Sequence, residues 1–132
     1  MRRAVRNATS MAAVMGVVIA AGVLVPGVAS AATYNGECGA GFGAGSRIDL
    51  AGGTVFLASK GDLRCAVTIL NTPNPAGTSM SVWIRASYSE GWISDPGTWT
   101  RYAGPVITST YGCADYGGRI GTSQQTRYDV CW

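Results

Sequence analysis

A chain of 132 residues with no histidine and only 13% charged residues lacks the side chains that zinc hydrolases and Ser-His-Asp or Cys-His enzymes require. Its formal charge of +3 comes from ten basic against seven acidic residues, yet Arg2, Arg3 and Arg6 precede every acid. Without those three the balance is seven against seven, no basic run remains, and nucleic acid is excluded as a partner.

The first stretch reads as an export signal. A basic start at Arg2, Arg3 and Arg6 leads into an apolar run from Met11 to Val25, broken by Pro26-Gly27, and Ala29-Ser30-Ala31 fits the small-x-small cleavage rule. The apolar run of roughly 15 residues falls short of the ~20 that span a bilayer. The surroundings of Arg2-Arg3 do not fit a twin-arginine signal, so general secretion is expected. Residues 1–32 are therefore expected to be removed, by cleavage after Ala31 or Ala32, leaving 33–132 as a single secreted domain with no membrane segment.

All four cysteines, Cys38, Cys65, Cys113 and Cys131, lie beyond the leader. An even number in a short exported chain implies two disulfides, with three possible pairings. Nearness in sequence favours Cys38–Cys65 and Cys113–Cys131, each worth roughly 3 kcal/mol by the chain-entropy model. With no histidine and no CxxC spacing, no metal site is expected.

Thr33 to Gly53 is a glycine-rich lead-in with one short strand around Arg47–Leu50. Gly39-Ala40-Gly41-Phe42-Gly43 is followed by turn and β-type sequence rather than a helix, so no dinucleotide cofactor is expected. Thr54–Ser59 reads as a strand, Lys60-Gly61-Asp62 as its turn. Leu63, Cys65, Val67 and Ile69 then alternate with Arg64, Ala66 and Thr68, the pattern of a half-buried strand with the Cys65 thiol on its apolar face.

Asn71–Thr78, with two prolines, is an exposed loop. In the next run Met80, Val82, Ile84 and Ala86 are expected inside, and Ser81, Trp83, Arg85 and Ser87 outside. Turn signals surround Trp92 and Ile93. Thr98–Ala103 reads as a strand, separated by Gly104-Pro105 from another at Val106–Tyr111. Gly117-Gly118 leads into a Gly/Ser/Gln-rich loop, and Arg127–Trp132 closes the fold with Cys131 pinning the end. Together these make about seven or eight short strands, no amphipathic helix and no repeat: an all-β domain, a small antiparallel sandwich or barrel stapled by two disulfides.

The enzymatic option left open is a carboxylate pair drawn from Glu37, Asp49, Asp62, Glu90, Asp95, Asp115 and Asp129. Asp62 and Asp95 sit in turn sequences and Glu90 beside a turn glycine, so the protein is expected not to be an enzyme. Aromatic residues are the richer resource. An exposed face of Trp83, Trp99 and Tyr102, with Arg85 beside Trp83, is the expected ligand-binding surface, suited to a glycan. The alternative is an inhibitory loop at Asn71–Thr78, although no cysteine braces it.

The mature start Thr33-Tyr34-Asn35-Gly36 with Cys38-Gly39, then Gly53–Leu57, Cys65–Ile69, Asn71-Thr72-Pro73, Met80–Trp83, Tyr102–Val106 and Cys113–Gly118, resembles the spore-associated protein A family. These are small secreted proteins of streptomycete-type filamentous bacteria, and the leader is similar too. The likeness runs in order from Thr33 to about Gly118. It implies a location on the surface of spores or aerial hyphae, with spore or cell-wall material as the partner, and it supplies no catalytic residue and no ligand. The expectation is a structural or adhesion protein of the spore or envelope, binding a wall or sheath glycan; the alternative is a small secreted protease inhibitor or antimicrobial effector.

Overall fold

The computed structural model describes residues 31–132, of which Ala32–Trp132 make one compact unit. The expected export signal lies outside the described residues except at its end, where Ala32 is buried as part of the fold. Nine strands follow in order: β1 (Gly43–Leu50), β2 (Gly53–Lys60), β3 (Leu63–Leu70), β4 (Thr78–Ala86), β5 (Ile93–Ser94), β6 (Gly97–Trp99), β7 (Tyr102–Ser109), β8 (Ala114–Ile120) and β9 (Ser123–Val130). Every pairing is antiparallel. One sheet has four strands in the order β1-β2-β3-β7; the other has five, in the order β9-β8-β4-β5, with β6 also on β4. Two-residue turns at Gly61-Asp62 and Gly121-Thr122 join β2 to β3 and β8 to β9. Both glycines take φ 58°, which tight hairpins demand.

The sheets face each other through alternate residues. Val55, Leu57, Ala66 and Leu70 from one meet Met80, Val82, Ile84, Tyr116 and Ile120 from the other. Thr68 Oγ1 donates to Ser81 O across the gap at 3.0 Å, and the Ser46 and Tyr116 hydroxyls meet at 2.6 Å. The sheets approach closely at Gly118, where a Cβ would run into Thr68 Oγ1 and Val55. The expected inward set of β4 is observed at Met80, Val82 and Ile84, all fully buried.

The outer face of the four-stranded sheet is also covered. Phe56, Ala58, Cys65, Val67 and Ile69 point away from the sandwich into a second cluster with Ala32 and Cys38, flanked by Tyr34, Phe42 and Tyr102. The lead-in lies across this face, held by the Cys38–Cys65 disulfide and by the Ala32 amide, which donates to Asn71 Oδ1 at 3.0 Å. This corrects the half-buried reading of β3. Its Cys65, Val67 and Ile69 face the lead-in, while Ala66 and Thr68, small enough to sit between layers, face the core, so both sides are shut off from water. The second disulfide, Cys113–Cys131, joins the residues that precede β8 and follow β9.

Several boundaries differ from expectation. The strand expected over Thr98–Ala103 is broken at Thr100-Arg101, with Trp99 ending β6 and Tyr102 opening β7. β1 starts at Gly43, running past a bulge between Ala44 and Ser46. Gly104-Pro105 lies inside β7 rather than between strands, at a register shift opposite Ala66 and Thr68; proline fits an edge strand there. Arg119–Gln125, read as loop, belongs to the β8–β9 hairpin, which extends the closing strand back to Ser123. A polar edge strand offers little apolar alternation to read.

Candidate functional site

Among the described residues, no segment covers the outer face of the five-stranded sheet. Its central row runs Ser94, Trp83, Gly117, Thr126 across β5, β4, β8 and β9. Gly117 lets the Trp83 indole lie flat over β8: a Cβ there would strike Trp83 Nε1 and the backbone of β9. Trp83 Nε1 spans that glycine and donates to Thr126 Oγ1 at 3.0 Å. The indole is therefore half-buried and fixed, one face on the sheet.

One row along β4, Arg85 pairs with Asp115 across β4 and β8, Nε to Oδ2 at 2.8 Å. Asp115 is only 2% exposed and also accepts from Ser87 Oγ at 2.7 Å and from the Asp129 amide at 2.9 Å. Burial alone would raise its pKa, but the bonds from Asp129, Ser87 and Arg85 outweigh burial and hold the carboxyl below its ordinary range. The Asp129 amide reaches Asp115 because β9 bulges between Arg127 and Val130, with Asp129 at φ 55°.

The bulge also sets Tyr128 beside Arg85. The Arg85 guanidinium carbon lies 4.2 Å from the ring centroid of Trp92 and 6.0 Å from that of Tyr128. Trp83, Trp92, Ser94, Thr126 and Tyr128 line an open groove of about 360 Å³, with Trp92 38% and Tyr128 59% exposed.

Of the four expected ligand-binding residues, Trp83 and Arg85 stand together at this groove. Trp99 packs against the inter-sheet core, and Tyr102 packs on the covered face of the other sheet. Those two border a separate cleft of about 400 Å³ with Thr100, Arg101 and Gly104. The single face expected of Trp83, Trp99 and Tyr102 is therefore replaced by two places. The chain turns at Thr100-Arg101, and residues on either side of that turn pack on different clusters.

Trp92, Ser94, Thr126 and Tyr128 were missed by sequence reasoning. Trp92 stood between turn signals, where an unburied tryptophan is itself the signal. Thr126 lies in the stretch expected as loop, and Tyr128 lies in the expected closing strand Arg127–Trp132, with no neighbouring apolar alternation to tell which face it takes.

The carboxylates serve structure where their bonds are visible. Glu37 accepts from the Asn35 amide, Asp49 from Arg47 and Thr54, Asp95 from the Gly104 amide, and Asp115 as described. The 71–77 loop is braced by Asn74, whose side chain bonds Gly77 O, Thr78 Oγ1 and the Ala76 amide. Among the described residues no group of three or more His, Cys, Asp or Glu is placed to hold a metal, and no helix is long and apolar enough to cross a membrane.

The chain is 38% identical to Spore-associated protein A of Streptomyces coelicolor, over 83% of this chain and 78% of that relative. The chain belongs to the spore-associated protein A family. No protein-family model matches it, and no solved structure does.

Proposed function

We propose that this protein is exported and associates with the spore or cell-envelope surface, acting as a non-enzymatic adhesion or structural component that holds a glycan in the groove of Trp83, Trp92 and Tyr128. The observation that carries this reading is an immobilised tryptophan on an uncovered sheet face, flanked by two exposed aromatic rings. Rings already held by packing lose little freedom when a ligand stacks on them, so most of the contact appears as affinity. The name of the relative, spore-associated, supports the location, and cysteines paired in two disulfides accord with an oxidising compartment.

The test is co-sedimentation of the exported protein with spores and with purified cell walls, comparing wild type with Trp92→Ala. Wild type is expected in the pellet. Trp92→Ala removes an exposed anchor without opening the core and is expected to weaken retention about tenfold while leaving the fold unchanged. Failure of the wild-type protein to pellet with either material ends this reading.

A further inference from the structure

We infer that the groove selects an uncharged polysaccharide, because none of its lining residues is charged and the guanidinium that reaches it, that of Arg85, is already neutralised from below and roofed from above. The inference rests on the glycan reading just given. None of the five lining residues is a Lys, Arg, Asp or Glu. Arg85 reaches the groove through its contacts with Trp92 and Tyr128, yet its charge is matched by a carboxylate at 2.8 Å whose side chain is 3% exposed. Asp115 is in turn held ionised by the Ser87 hydroxyl and the Asp129 amide. The pair is electrically neutral as a unit, so an acidic sugar gains little attraction to it and must give up hydration to sit there.

On the same face, one row along β8 from Gly117, the Arg119 guanidinium is drawn away from the groove by bonds to Ser79 Oγ and Gly121 O. What the groove does offer is flat apolar surface on Trp83 and Trp92 with the hydroxyls of Ser94 and Tyr128 at its borders. That combination matches a chain of neutral pyranose rings, whose C–H faces stack on aromatic planes and whose rim carries hydroxyls or amides. A uronic-acid or phosphate-bearing polymer finds no free cation in the groove.

The experiment measures retention of the whole exported protein on chitin, on cellulose and on immobilised polygalacturonate, at 20 mM and 500 mM NaCl. Wild type is expected to be held at least tenfold more strongly by a neutral polymer than by polygalacturonate, with retention changing less than twofold between the two salt levels. Asp115→Asn, which leaves Arg85 without its counter-charge, is expected to gain polygalacturonate retention that disappears at high salt. The wild-type comparison decides the matter even if that variant does not fold. Retention on spores together with preference for polygalacturonate, or retention that collapses with salt, overturns the inference while leaving surface attachment intact. Loss of binding to spores and to all three polymers removes both. A dimer in sedimentation that Trp92→Ala dissociates also overturns it, assigning the groove to a second copy of the chain.

Discussion

The two sheets of this sandwich carry aromatic residues on their outer faces and treat them oppositely. On the four-stranded sheet Phe56 is 6% exposed, covered by the lead-in, with Tyr34 at 6.0 Å between ring centroids. On the five-stranded sheet Trp92 is 38% exposed and Tyr128 59%, and among the described residues no segment lies over them. The covered face is a third layer of core, fixed by Cys38–Cys65 between residues that are both buried. The open face is kept in shape by polar bonds within the sheet itself: Trp83 to Thr126, and Arg85, Ser87 and Asp129 to Asp115. Similar ring chemistry thus supports stability on one side and remains available for contact on the other.

That contrast is open to direct attack. The largest expected effect is at the covered face, where Phe56→Ala should cost about 3–5 kcal/mol, read as a lower midpoint in urea. If Phe56→Ala proves as mild as Trp92→Ala, for which less than about 0.5 kcal/mol is expected, the two faces are not different in kind.

Gly117→Ala comes next, at about 1–3 kcal/mol. Its methyl group must displace the Trp83 indole or the β9 backbone. Loss of the Trp83–Thr126 bond should disperse the indole N–H resonance of Trp83 and weaken surface retention together. A variant that keeps both would mean the indole does not depend on that glycine.

Smaller still is the acid response of Asp115. Its pKa in the fold lies below the unfolded value of about 3.9, so its contribution is fully present above that value and is lost as pH falls through the lower native one. Urea midpoints measured from pH 6 to pH 2.5 should fall less steeply for Asp115→Asn than for wild type. Parallel acid limbs would show that the carboxyl is not held by its partners as described.

The β-character, the disulfide pairing and the inward set Met80, Val82 and Ile84 were legible because period-two patterning and cysteine spacing are local signals. The third layer was legible only at its staple, where the Cys38–Cys65 pairing brings one point of the lead-in to β3. Nothing in Gly39–Gly43 indicates that the lead-in folds back over β3, since that contact is paid for by Phe56, Val67 and Ile69 in distant positions. The groove was half legible. Trp83 and Arg85 follow from alternation along β4, whereas Trp92 and Tyr128 arrive through strand register and a bulge, which no single segment encodes. Trp99 and Tyr102 read as companions of Trp83 because alternation reports exposure only within one strand.

The four tryptophans provide the most direct measurement, since Trp83 and Trp92 line the groove while Trp99 packs on the core and Trp132 stacks on Arg64 at 4.2 Å. Titrating a soluble, neutral chito-oligosaccharide into isotopically labelled protein should move the indole N–H signals of Trp83 and Trp92 and leave those of Trp99 and Trp132 in place. Shifts confined to Trp99 or Trp132, or none at all, would contradict a saccharide-binding groove on the open sheet.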